Sequence, residues 1–469
     1  MNRQGIATLF GERGSVSPPV RNPGMKQRLL QTPPRSPIMA ITLLGLFLSA
    51  AAAFGDDWPQ WMGPKRDNVW RETGIIDAFP KEGPKVLWRK PVANGYSGPA
   101  VVGGRVYLTD FVVDADVQDD NFGRKKFVGK ERVLCLDATT GDLKWKHEYA
   151  CSYSVSYPNG PRCTPTVGGG KVYTVGAEGD LFCFNAETGA IVWSTDFKKA
   201  YGMKAPLWGF AGHPLLDGPR LICLVGGKGS VAVAFDKDTG KELWKALSAT
   251  EPGYSPPSII EAGGVRQLIV WHPESINGLE PETGKIYWTV KQETVNGTSI
   301  MAPRVLDNQM FVGAWQKKGQ MLRLDSSKPA AATVWKGGRD SSVYPVNNTP
   351  FLEDGHIYGV GSEGELRCVK LADGERVWET YKPVAGKEAG SGTAHLIKHE
   401  DRFFIVAETG DLIIAKLSPK GYDELSRWTM LAPTSKAFGR NVSWSHPAFA
   451  NRCVYARNDR ELICVSLAK

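Results

Sequence analysis

The chain has 469 residues, 42 % hydrophobic and 23 % charged, with 52 Gly and 31 Pro. Length alone suggests about three domains, but short apolar runs between Gly- and Pro-rich turns read as all-β. The formal charge of +8 is concentrated at one end, because residues 1–55 hold six basic side chains against Glu12 alone. The small excess left elsewhere gives no reason to expect a nucleic-acid partner.

Ile38 to Phe54 is an apolar run preceded by Lys26, Arg28 and Arg35 and ending in small residues. That is the n-region, h-region and small-residue exit of a secretory signal peptide. Residues 1–55 are therefore predicted to be a signal segment, with Met25 and Met39 as alternative starts and cleavage near Ala53 to Gly55. The competing reading is an uncleaved anchor, for which a run interrupted by Thr42, Gly45 and Ser49 is marginal. No Cys follows the run, so lipid attachment is not expected. The expected location is the periplasm or cell envelope. Residues 56–85, with Trp58, Trp61, Pro59, Pro64 and Pro80, read as an extended strap lying on the domain.

From residue 86 onward the chain repeats. Asp137-Ala-Thr-Thr-Gly-Asp-Leu-Lys-Trp145 recurs as Asn185 to Trp193, Asp236 to Trp244, Glu280 to Trp288 and Lys370 to Trp378. In each copy Gly stands four positions, and Trp eight, after the first residue. Fixed internal spacing of this kind is the mark of a repeat architecture. The chemistry is that of a β-hairpin. Asp or Asn caps turn amides, Gly takes positive φ, and the next strand ends in a ring that one hairpin cannot bury alone. Around this motif each unit reads as four strands, the size of a propeller blade.

The Trp strands fall at Trp88, Trp145, Trp193, Trp244, Trp288, Trp335, Trp378 and Trp428, so eight blades are predicted. The copies before Trp335 and Trp428 are degenerate. The last unit stops after three strands, and Val86-Leu-Trp88 is an orphan. Pairing it with the C-terminal unit would close the ring and remove its free edges. Spacing, motif and count resemble the pyrroloquinoline-quinone (PQQ) repeat propellers and their tryptophan docking motifs, over residues 86–469. The opening Trp58-Pro-Gln-Trp-Met-Gly-Pro64 and the Gly439 to His446 region resemble the exported bacterial type, the PQQ-binding-like propellers.

That resemblance implies two unrelated trades: quinoprotein dehydrogenases, and a non-enzymatic scaffold lipoprotein of the outer-membrane barrel-assembly machinery. Fold does not choose between them. The dehydrogenases, as the family implies, clamp the quinone with a Trp and a ring of two adjacent cysteines, hold Ca²⁺ with Glu, Asn and Asp, and use an Asp base. No Cys-Cys pair occurs here, and the Ca²⁺ ligands and Asp find no matching positions. No metal is predicted. Asp114 to Asp120 places alternate carboxylates but lacks the Gly of a calcium loop.

Of the eight cysteines, Cys135, Cys183, Cys368 and Cys464 share one repeat position and read as buried strand residues. Cys151 with Cys163, and Cys453 with Cys464, are pairs whose disulfide state the sequence leaves open. The loops entering the innermost strands are polar and aromatic, and from them come the candidate ligand-binding residues Arg162, Trp208, His213, Asn347, His395, Arg440, Trp444 and His446. Such a mouth suits a flat anionic ligand, a small polar ligand or an extended peptide. The function expected is that of an exported monomeric binding or scaffolding module without a cofactor, engaging an envelope protein, a peptide or a small ligand. The alternative is a periplasmic PQQ- and Ca²⁺-dependent dehydrogenase of an alcohol or sugar.

Overall fold

The computed structural model describes residues 56–117, 121–316, 318–338 and 340–469; the predicted signal segment and part of the acidic loop, Asp119 and Asp120, lie outside them. Eight four-stranded antiparallel sheets make up the fold, as the repeat predicts. The second blade is representative, with strands Thr166–Gly168, Lys171–Val175, Asp180–Asn185 and Ile191–Asp196 from the axis outward. The eighth takes Ala448–Ala450, Cys453–Arg457 and Glu461–Ser466 from the C-terminus and Val86–Pro91 from the start of the wheel. Trp88 stands opposite Cys464 in that closing pair. The sheets pack face to face through apolar layers that join neighbouring blades, so the core is a ring and not a single centre.

The Thr-Gly corner explains the wheel's regularity. Asp137 Oδ1 accepts from the amides of Thr139 and Thr140, Asn185 Oδ1 from Glu187 and Thr188, and Asp236 Oδ1 from Asp238 and Thr239. The glycine then adopts φ of +73° at Gly189 and Gly240, a region closed to most side chains. It has a second reason to lack a side chain. A Cβ on Gly240 would meet the Trp193 ring of the preceding blade at 2.6 Å. Each indole lies on the next blade's corner and donates its N–H to a carbonyl there: Trp88 to Ala138, Trp145 to Ala186, Trp193 to Lys237, Trp244 to Pro281, Trp335 to Leu371 and Trp378 to Ser418.

Two indoles depart from the pattern, and the degenerate repeats say why. Trp288 faces the corner that has lost its Gly. It folds over Gly278 in its own sheet and donates to Gln267 Oε1 at 2.6 Å. Trp428 faces the eighth blade, whose outer strand enters from the N-terminus and so has no corner. Gly83, φ +86°, supplies the missing surface, lying against the indole nitrogen.

Four cysteines stand opposite indoles in the ladder: Cys135 to Trp145, Cys183 to Trp193, Cys368 to Trp378 and Cys464 to Trp88. A small apolar side chain fits beside a ring that must lean to the next blade. All eight thiols are buried and free. Cys151 lies in the strand Leu143–Tyr153. Cys453 pairs with Ser466 and Cys464 with Tyr455, so those two thiols sit diagonally across the hairpin.

Residues 56–85 do more than lie on the surface. The amide of Trp58 donates to Val101, Val167 donates to Pro59, and Trp70 donates to Lys398, all on or beside innermost strands. Arg66 reaches the carbonyls of His213 and Pro214, while Arg304 caps the carbonyls of Arg66 and Asp67. Residues 58–70 of the strap thus run along the innermost strands, while Phe79 and Gly83 reach the outer strand at Ser426 and Trp428.

Candidate functional site

An antiparallel four-strand meander puts the loops that enter the innermost strands on one face and the Thr-Gly corners on the other. The eight entering loops converge on one cavity of about 1050 Å³, counted out to its open mouth. Tyr96, Tyr157, Trp208, Tyr254, Phe438 and Trp444 make its aromatic walls, with Asn347, Asn348, Thr298 and Ser391 between them. The floor is Trp61, contributed by the strap and only 4 % exposed.

Six of the eight sequence candidates line this cavity: Arg162, Trp208, His213, Asn347, Trp444 and His446. Arg162 is held by the carbonyls of Gly160, Ser156 and Tyr157 and lies over the Tyr96 ring at 5.4 Å. The Trp208 ring packs edge-on against Tyr254 at 5.7 Å, and its amide donates to the Tyr254 hydroxyl. The His213 ring stacks on Trp61 at 4.8 Å and 11°, and its Nδ1 accepts from the Thr164 amide. His446 meets Trp61 edge-on at 5.5 Å.

The other two candidates stand one layer back. His395 packs against His446, ring centres 4.0 Å apart. Arg440 turns away from the cavity to Glu408 at 2.8 Å, and the same carboxylate accepts from Trp444 Nε1 at 2.9 Å and from the Thr393 amide. Arg440 therefore orients Trp444 through a shared carboxylate. Burial drives the pKa of His213 and His446 well below the ordinary imidazole value, and that of His395 down to about 4. Near neutral pH all three rings are uncharged, each with one N–H and one lone pair.

Trp61 was legible only as part of a strap, and its place at the floor is set by contacts hundreds of residues away. Phe438 is a second addition. It sits at the tip of a small hairpin, Ser435–Ala437 with Arg440–Val442, at φ +50° and half exposed. Neither carried a signal in the repeat pattern.

No carboxylate lines the cavity among the described residues, nor do they include a cluster of three metal-ligating side chains. Calcium takes six to eight oxygen ligands, with Asp and Glu prominent among them. The donor set here does not fit the Ca²⁺ that accompanies PQQ in the dehydrogenases.

Residues 129–265 and 272–469 match the PQQ_2 family, described as outer membrane protein assembly factor BamB. The BamB of Moranella endobia (strain PCIT) is 22 % identical over 315 residues, covering 62 % of this chain and 75 % of that protein. The BamB of Yersinia pestis is 23 % identical over 261 residues, covering 53 % of this chain and 64 % of that one. The dehydrogenase subunit of the quinone alcohol dehydrogenase of Komagataeibacter europaeus is 31 % identical over 333 residues, 61 % of this chain but 37 % of that subunit. For the last two, the match spans less than two thirds of the relative's length. Among solved structures, BamB from Moraxella catarrhalis superposes with a TM-score of 0.54 at 13 % identity, over 81 % of this chain and 96 % of that one. Quinohemoprotein alcohol dehydrogenase from Comamonas testosteroni gives 0.56 at 14 %, over 88 % and 81 %. Both structures share the fold, and the family match covers most of the wheel. The chain belongs to the PQQ_2 family of repeat propellers.

Proposed function

We propose that this chain is an exported binding module of the cell envelope, holding a ligand or partner at the channel mouth without transforming it. The observation that carries the reading is the composition of the cavity: aromatic walls, neutral imidazoles, amides and the bound guanidinium of Arg162, with no carboxylate among the described residues. A general base for alcohol oxidation needs a group poised to take a proton near the operating pH. Glu408, which bonds the wall residue Trp444, is already shared by Arg440, Trp444 and a backbone amide. The relatives named BamB favour an envelope role, and the run from Ile38 to Phe54 favours export. The mouth offers side chains from all eight loops, a geometry suited to recognition.

The test is to add PQQ and Ca²⁺ to the purified protein, with a redox dye and a panel of alcohols and sugars. The expected result is no calcium-dependent quinone spectrum and no dye reduction. Tight quinone binding with turnover would replace this reading with the dehydrogenase.

A further inference from the structure

Resting on that binding reading, we propose that the cavity accepts one neutral, polyhydroxylated ring: a monosaccharide, free or at the end of a glycan. Depth is the first argument. Trp61, packed with Met62 and Ala302, lies at the base of the cavity, which favours a ligand whose end enters from the mouth. The walls are the second. Tyr96, Trp208, Tyr254 and Trp444 present ring surfaces, against which the C–H face of a pyranose packs while its hydroxyls point to the polar groups between.

The pattern of unpaired polar atoms decides the charge. Asn348 is 3 % exposed, and its Nδ2 donates to the Val360 carbonyl at 3.1 Å, which fixes the amide and leaves Oδ1 buried without a donor. Trp61 Nε1 is a buried donor without an acceptor. A hydroxyl satisfies both, since it gives and receives. An anion has no hydrogen for Asn348 Oδ1. Among the described residues the one cation at the wall is Arg162, and it already gives three of its five N–H groups to main-chain carbonyls. A cationic ligand would meet Arg162 and no countercharge. A neutral ligand with many hydroxyls is what remains.

Calorimetry and tryptophan emission on the purified full chain test the inference, using glucose, galactose, N-acetylglucosamine, and an oligosaccharide ending in each. Three other probes run beside them: N-acetylphenylalanine amide, citrate as a plain anion, and PQQ with Ca²⁺. At least one sugar is expected to bind saturably with a change in emission. Trp61→Phe, which keeps the ring and removes the N–H, is expected to weaken it about fivefold, the worth of one hydrogen bond. Trp208→Ala, at a part-buried wall residue away from the strap, is expected to weaken it about tenfold. Equal affinity for the free and terminal sugar points to a free monosaccharide, and tighter binding of the oligosaccharide to a glycan end. Absence of any sugar binding up to about 10 mM, or binding unchanged in both variants, overturns the proposal. Binding of the blocked amide or citrate alone overturns the sugar and leaves the binding reading standing, whereas quinone binding with turnover overturns both.

Discussion

The two faces of this wheel are built on opposite plans. On the face of the Thr-Gly corners, six indoles dock by one device, a ring on the next corner and an N–H on its carbonyl. On the other face no two loops are alike, and the cavity they enclose has Trp61 for a floor and Tyr and Trp for walls. The difference teaches where stability and recognition are kept apart. Repetition fixes the angle between blades, so the loops across the molecule are released from holding the ring together. Even the two misfit indoles follow the rule, since Trp288 withdraws into its own sheet and Trp428 borrows Gly83.

If that division is right, damage to the corner face should cost stability and damage to the mouth should not. The largest effect is expected from Trp244→Ala, which loses a buried ring and its bond to Pro281; urea unfolding should show a loss of about 3 kcal/mol. Next is the one place where the mouth does contribute, its buried histidines. His395 has a folded pKa of about 4, below the unfolded value of about 6.5. The unfolded chain therefore binds more protons between those values, and the stabilisation present above pH 6.5 is lost as pH falls toward 4. From pH 6.5 to 5 the loss from His395 is expected to be about 1.6 kcal/mol. The variant His395→Gln should flatten the slope accordingly, and an unchanged slope would place the titration elsewhere.

Gly240→Ala is expected to cost about 1.5 kcal/mol, since it adds both a positive-φ strain and a Cβ in the Trp193 ring. Thermal unfolding measures it, and a neutral result would deny the corner its second role. The smallest effect, about 0.5 kcal/mol, is expected for Trp208→Ala at the mouth. A loss as large as that of Trp244→Ala would erase the contrast between the faces.

The corner face was legible because its chemistry is local. Asp, Thr, Gly and Trp within nine residues specify a turn, a positive φ and a ring, and the closing strand at Trp88 followed from counting rings. The mouth was legible only as a set of loops. Sequence placed Arg440 and His395 there with six others, but it could not show Arg440 turning to Glu408 or His395 packing behind His446. It read the strap as an outer layer because the bonds that draw it inward, such as Trp70 to Lys398 and Arg304 to Arg66, join residues far apart in the chain. Gly83 escaped notice for the same reason, lying ahead of the first repeat and serving the last gap.

The central claim is that the mouth, and not the corner face, meets what this protein binds. A photo-cross-linking residue in place of Phe438 at the mouth, and in a second variant in place of Lys241 on the corner face, tests it in intact envelopes. The account expects discrete adducts from position 438 and none from position 241. Adducts from 241 with none from 438 would contradict it.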